Sequence, residues 1–298
     1  MKIIITGANS FIGRRLIPAF SRLHQVTAVM RENNNLFGQF PNVETLALSM
    51  IDYGHLGEMI NAPDCFIALA WSGSRGEARN DYALQKFNYS QNLAAMKSMT
   101  EAGCKILVSA GSQAEYGIHD EIITEESFCK PESEYGKFKL KLFNDTKEIA
   151  DEHGIRFIEP RYFSLYGPGD YKKTLIMQCV RKMLADENIN LNECRQIWDY
   201  MYIDDAVDGL LRLCENENCS GVYNFASGHN KTLREFVIDI HEALHSKSII
   251  NFGAIEYNGA FINLRPSIKK LTEAVNWKPE TSFTQGILRT AESIKKGE

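Results

Sequence analysis

No run of about 18 consecutive apolar residues occurs in this chain, so none of it reads as a membrane-spanning helix. Its 7 cysteines (65, 104, 129, 179, 194, 214 and 219) are odd in number and lack C-x-x-C spacing, which argues against a disulfide framework and a structural zinc cluster. An excess of basic charge is also missing: 33 Lys and Arg stand against 38 Asp and Glu, for a net charge of -5. That balance gives no field for broad nucleic-acid or anionic-membrane binding and leaves room for a local pocket that takes an anionic small molecule. Internal repeats and low-complexity segments are absent. Met1 and Lys2 run straight into Ile3-Ile4-Ile5-Thr6-Gly7, too short for the apolar region of a signal peptide. The expectation is a reduced, cytoplasmic protein with neither nucleic acid nor membrane as a partner.

What is present is an alternation. Short β-rich runs (KIIIT, QVTAVM, VETLAL, DCFIALA, CKILVSA, IRFIEPRY) are separated by amphipathic stretches, among them helices expected near 11–23, 56, 82–101 and 134–152. Strands that are apolar throughout are buried on both faces, which predicts an α/β fold of the Rossmann type, a doubly wound parallel sheet. Pro and Gly at Gly167-Pro168-Gly169 punctuate the pattern, and beyond them it loosens into a smaller mixed lobe. The expected division is a dinucleotide-binding domain over 1–166, rejoined by about 196–226, and a substrate lobe over 167–298.

Gly7-Ala8-Asn9-Ser10-Phe11-Ile12-Gly13 leaves the first strand and opens a helix, the context that a dinucleotide fingerprint requires. Gly7 permits a tight turn, free N–H groups at the helix start suit pyrophosphate oxygens, and Gly13 lets the helix approach the sheet. Ser10 replaces the middle glycine and should crowd the phosphate slightly. The second strand ends in Val29-Met30-Arg31. Arg31 cannot accept from a ribose hydroxyl, as an acid there would for NAD, but can pair with a 2′-phosphate, so NADP is favoured over NAD.

Tyr135 and Lys139 are four residues apart on an expected helix and so share a face. A neighbouring ammonium favours the phenolate, which makes a tyrosine usable as an acid or base nearer neutral pH. Ser112 leaves a strand at the edge of the sheet where its hydroxyl can bind the same substrate oxygen.

With these residues the chain resembles the extended short-chain dehydrogenase/reductases of the nucleotide-sugar epimerase/dehydratase group. The resemblance runs over essentially the whole chain: TGANSFIG at 6–13, Asp52, ALAWSG at 68–73, Asn88, SAGSQAEYG at 109–117, Tyr135 with Lys139, RYFSLYGPGD at 161–170, WDYMYIDD at 198–205, VYNFASG at 222–228 and WKPE at 277–280. It implies that Ser112, Tyr135 and Lys139 are the catalytic set and that Lys139 also holds the nicotinamide ribose. It further implies Asp52 beside the adenine, Ala70 in the cofactor groove and Tyr162 near the nicotinamide. The implied chemistry is hydride transfer at a sugar carbon, most often C4, of a nucleotide-diphosphate sugar, in a homodimer joined through the helices at 82–101 and 134–152.

Departures from the family pattern narrow this. Dehydratases of the group carry an Asp-Glu pair where this chain has Gln113-Ala114, which argues against elimination of water. Ser164 stands where an Asn is common and Trp198 where an Arg is common, so the substrate contacts are not a simple copy. Trp71, Ser72, Ser112, Ser164 and Arg265 are the candidate substrate residues, Arg265 because a guanidinium binds phosphate oxygens in pairs. Arg31 tips the reading to a 4-ketoreductase, with a 4-epimerase on retained NAD as the alternative and a non-catalytic NADP sensor as a remote one.

One motif points elsewhere. His241-Glu242-Ala243-Leu244-His245 matches the zinc-hydrolase pattern H-E-x-x-H, yet Asn251 and Arg265 occupy the places where a third ligand would stand. Leu233, Phe236, Val237, Ile240 and Leu244 mark a buried helical stripe, and at 100° per residue the two histidines fall about 80° and 120° from Leu233, at its polar border. No metal is expected.

Overall fold

The computed structural model describes residues 1–32, 35–257, 259 and 262–297. Its strands are β1 (Lys2–Thr6), β2 (Gln25–Met30), β3 (Val43–Ala47), β4 (Cys65–Ala68), β5 (Ile106–Ser109), β6 (Gly111–Ser112), β7 (Arg156–Tyr162), β8 (Ser164–Tyr166), β9 (Ile189–Leu191), β10 (Ile197–Trp198), β11 (Tyr200–Tyr202), β12 (Gly221–Phe225), β13 (Lys231–Thr232) and β14 (Ile250–Phe252). The α-helices are α1 (Gly13–Phe20), α2 (Leu56–Met59), α3 (Tyr82–Glu101), α4 (Glu134–His153), α5 (Leu175–Leu184), α6 (Ile203–Glu215), α7 (Leu233–Leu244), α8 (Lys269–Val275) and α9 (Phe283–Lys295).

The main sheet runs β12-β7-β5-β4-β1-β2-β3, parallel throughout, with β6 alongside β7. It is the Rossmann-type doubly wound sheet that the alternation predicts. Successive side chains of a strand point to opposite faces. Thus Ile3 and Ile5 pack in one core with Leu16, Ile17 and Leu210 of α1 and α6, whereas Ile4 packs in another with Ala95, Met96 and Met99 of α3. The chain steps outward from β1 to β3, then returns to β4 on the other side. The switch between β1 and β4 opens the crevice in which such sheets bind ligands.

Side-chain caps start the long helices. Asp81 accepts from Leu84 N, Ser133 from Gly136 N and Thr174 from Met177 N, each stabilising its helix by about 1 kcal/mol. Helix α1 is shorter than the expected 11–23, because the glycine loop occupies the residues up to Ile12 and Ser21 already turns away. Helices α5, α7 and α9 pack together in the smaller lobe around Val180, Val237, Ile240 and Ile287. No helix among the described residues is long and apolar enough to cross a membrane.

The histidine motif divides at the end of α7. His241 is helical, but His245 adopts the left-handed conformation (φ 49°) that ends the helix. Its N–H returns to the Glu242 carbonyl, and that of Ser246 to His241. The expected placement of both histidines on one helix therefore fails for His245. His241 Nε2 lies 3.0 Å from the Ser248 carbonyl, a bond within the lobe.

Candidate active site

The glycine loop lies at the switch point. Gly7 has φ 67°, and a Cβ there would lie 2.8 Å from Ala70 N, so the turn admits only glycine. A Cβ on Gly13 would overlap the Gly7 carbonyl. Ala8 N donates to Val29 O at the end of β2, which ties the loop to the second strand. Ser10 does more than crowd: its hydroxyl accepts from Gly13 N at 3.1 Å and so takes one helix-start donor for itself. The amides of Phe11 and Ile12 meet no acceptor among the described residues. Two glycines without room for a Cβ and two free amides at a helix start fit a pyrophosphate. Asn9 is exposed on the same loop, and its carbonyl receives Arg14 Nε at 2.9 Å. Arg15 is committed to Asp204.

Arg31 is exposed just past β2 and forms no ion pair among the described residues. Asp52 is exposed on the 3-10 turn Met50–His55 that follows β3. Neither lines the principal cavity, which holds about 630 Å³ and is bordered by Ser10, Phe11, Ser112, Tyr135, Lys139 and Tyr162 among others. A second cavity of about 520 Å³ lies in the smaller lobe beside Glu193, Arg195 and Tyr257.

Pairing places Ser112 of β6 directly beside Tyr162 of β7. The start of α4 approaches closely because residue 136 is glycine; a Cβ there would overlap the Ala114 carbonyl. This brings the Tyr135 phenol to the Ser112 hydroxyl. Burial raises the phenol above its ordinary value, whereas the Ser112 hydroxyl and then Arg79 favour its ionised form. Lys139, also buried, donates to the Ala110 carbonyl at 2.6 Å, and its ammonium lies 4.0 Å from the centre of a Trp71 ring. Burial lowers this amine to about 8, against the attraction of Glu115 and Glu159.

Trp71 and the loop around it are fixed by buried polar residues of α3. Gln85 accepts from Trp71 Nε1 at 2.7 Å, Asn88 bonds both the N–H and the carbonyl of Ser72, and Asn92 donates to the Ala70 carbonyl. Ala70 and Ser72 are thus held through their backbones, and the Ser72 side chain does not line the cavity.

Beneath Ser112 lies a buried charge cluster. Glu115 accepts the Ser112 N–H at 2.7 Å and Arg161 Nε at 3.0 Å, while Glu159 reaches the same Nε at 2.9 Å. Burial, and then the adjacent Glu115, push Glu159 well above the usual carboxylate range.

The two departures noted in the sequence meet here: Trp198 Nε1 donates to the Ser164 hydroxyl at 2.7 Å, and both line the cavity. Where the family pattern leads one to expect an amide and a guanidinium, this chain has a hydrogen-bonded indole and hydroxyl. Arg265 does not line the cavity. Its guanidinium makes a long bond of 3.5 Å to the Asp120 carbonyl, and the adjacent Leu264 binds Ile197 beside Trp198. Three charged cavity-lining residues were not among the candidates from the sequence: Arg75, Arg79 and Asp170. Only their position on loops after β4 and β8 would have suggested them.

Known proteins resemble the chain in sequence and in fold. The model of the NAD dependent epimerase/dehydratase family matches residues 3–226. The chain is 28% identical over 214 residues to dTDP-4-dehydro-6-deoxyglucose reductase of Escherichia coli, covering 70% of this chain and 67% of that one. It is 24% identical over 306 residues to CDP-abequose synthase of Salmonella typhimurium, covering 96% and 95%. In structure it is similar to UDP-glucose 4-epimerase of Thermotoga maritima, with a TM-score of 0.89 at 21% identity over 99% of both chains.

Proposed function

The chain belongs to the NAD dependent epimerase/dehydratase family, and from that premise we propose that it reduces the 4-keto group of a nucleotide-diphosphate deoxysugar to a hydroxyl with NADPH. The observation that carries the reductase reading is Arg31, an exposed cation just past β2 with no ion pair among the described residues, where an NAD site would have a carboxylate. Reduction consumes its cofactor and suits NADPH. The similarity to a protein named dTDP-4-dehydro-6-deoxyglucose reductase supports the same reading.

In this proposal the Gly7 to Gly13 loop, with the Phe11 and Ile12 amides, holds the pyrophosphate. Asp52 lies toward the adenine, Ala70 lines the groove and Lys139 holds the ribose beside Tyr162. The nicotinamide, when bound, supplies the hydride to the sugar carbon. Tyr135 gives its phenolic proton to the carbonyl oxygen, and the Ser112 hydroxyl donates to that same oxygen. Trp71, Ser164 and Trp198 shape the sugar end, Ser72 contributes through the backbone that Asn88 holds, and Arg265 reaches the diphosphate after giving up its long bond to Asp120. Residues 1–166, with 196–226, form the cofactor domain and 167–298 the substrate lobe. Two copies pair through α3 and α4, where Tyr82 and Phe87 are exposed.

The test is incubation with NADPH or NADH and a panel of 4-keto and 4-hydroxy nucleotide sugars, reading cofactor oxidation and product configuration separately. Oxidation of NADPH matched to product supports the reductase. Inversion without net cofactor consumption would instead make the chain a 4-epimerase. Tyr135→Phe should lower turnover by about 10²–10⁴-fold and leave cofactor binding intact; turnover at the wild-type rate would remove Tyr135 from its role.

A further inference from the structure

Between β4 and α3 the chain sets an unneutralised guanidinium against the phenol. Arg79 belongs to the 3-10 turn Gly76–Asn80. Its NH1 donates to the Ser74 carbonyl at 3.2 Å, and its Cζ lies 4.8 Å from the centre of the Tyr135 ring. Arg75 is different, because its NH2 is paired at 3.0 Å with Asp170. Asp170 is buried and also takes the Tyr171 N–H and the Thr174 hydroxyl. Among the described residues no carboxylate lies within ion-pairing distance of Arg79. Both arginines border the cavity that Tyr135 and Ser112 share. Lys139, a third nearby cation, is turned to the Ala110 carbonyl and the Trp71 ring.

A guanidinium over an aromatic face is drawn to the ring, and more strongly when the ring carries negative charge. We propose that Arg79 is a positioning residue for Tyr135, holding the ring and stabilising the charge left on it as its proton passes to the substrate. The step balances: the phenolic O–H bond breaks, an O–H bond forms on the substrate oxygen, and the electron pair stays on the Tyr135 oxygen. This inference rests on the reading of Tyr135 as the proton donor. The groups that face the phenol are Ser112 after β5, Trp71 after β4, Arg75 and Arg79 from the turn before α3, Lys139 from α4, and Glu115 from the short turn after β6. Of these Glu115 opposes the phenolate, and Arg79 is the cation in direct contact with the ring.

The experiment compares wild type, Tyr135→Phe, Arg79→Lys, Arg79→Gln and Arg79→Met in the reduction assay across pH, with cofactor binding and thermal unfolding as controls. Reduction needs the protonated phenol, so the rate falls as pH rises through its ionisation. Removing the cation should move that basic limb upward by about one pH unit and lower kcat about tenfold, with cofactor affinity unchanged. Arg79→Lys should restore most of both. A basic limb that stays in the wild-type place in Gln and Met overturns the proposal, as does a rise in sugar KM alone, which would make Arg79 a ligand of the substrate. Arg79→Met, which keeps an apolar side chain against the ring, decides the matter if the Gln variant does not fold; if neither neutral variant folds, a limb in Arg79→Lys at the wild-type pH and rate supports the proposal, and one displaced as far as one pH unit overturns it. Full turnover by Tyr135→Phe would sink the proton-donor reading itself, whereas an inactive Tyr135→Phe beside an unmoved limb sinks only the role of Arg79.

Discussion

Glu115 and Glu159 approach the same Arg161 Nε, at 3.0 and 2.9 Å, in a place where all three side chains are buried. One guanidinium does not offset two buried carboxylates at low cost, so burial and the neighbouring Glu115 favour the protonated form of Glu159 in the fold. The unfolded chain releases that proton above the ordinary value of 4.5. Stability from this group is therefore full below that pH and declines as pH rises beyond it. Glu159→Gln carries the neutral form permanently. Its unfolding midpoint should exceed that of wild type by roughly 2–4 °C at pH 8, with the gain shrinking toward pH 5. Calorimetry at both pH values checks this, and an equal or reversed difference would show that Glu159 is ionised in the fold. Tyr135, Lys139 and Ser112 are legible in the chain because helical spacing and a strand end suffice to bring them together. Arg79, Glu115 and Glu159 are not, since charged residues read by default as surface and only the pairing of β6 with β7 draws 112, 115, 159 and 161 into one cluster.

At the scale of one element, α3 shows how a correctly bounded helix can hide its purpose. Its expected range of 82–101 is the observed one, and Asp81 starts it. Yet Gln85, Asn88 and Asn92 are 0%, 0% and 1% exposed, where polar helix residues are ordinarily solvated. Their spacing of three and four was the available signal, because it puts all three on one face. What a sequence cannot show is the loop that this face grips, residues 70–73, and through it the Trp71 ring over Lys139. Asn88→Ala leaves both the N–H and the carbonyl of Ser72 without their partner. The expected cost is about 1–3 kcal/mol in denaturant unfolding, with a larger relative loss of turnover than of far-UV helicity. Unchanged turnover in a folded variant would show that the loop holds its shape without α3. The H-E-x-x-H stretch teaches the converse: the letters fit, but His245 takes the conformation that stops α7, and a pattern that needs one continuous helical face is lost at its last residue.

For the molecule as a whole, α6 is the joint between the sheet and the C-terminal segment. The helix packs on the sheet through Leu210 and Leu213 and meets α1 through the Arg15 to Asp204 pair. On its other side Asp205 accepts from Glu280 N, Thr281 N and the Thr281 hydroxyl, each at 3.2 Å, while Trp277 is buried against Gly209. The WKPE and IDD stretches, far apart in the chain, are thus the two halves of one contact. A half-exposed ion pair such as Arg15 to Asp204 contributes little, but Asp205 is 7% exposed and takes three hydrogen bonds from residues 280 and 281. Asp205→Ala should therefore cost about 1–3 kcal/mol, and the loss should be uneven. Hydrogen exchange should show the amides of α9 and of 280–282 opening well before those of β1 and β4, because the central strands keep their own buried contacts when the tail loosens. Asp205→Asn, which still presents an acceptor, should fall between the two. Equal loss of protection across the sheet and the tail would mean that α6 and the C-terminal segment unfold only with the whole chain, and that the joint is no weaker than the parts it connects.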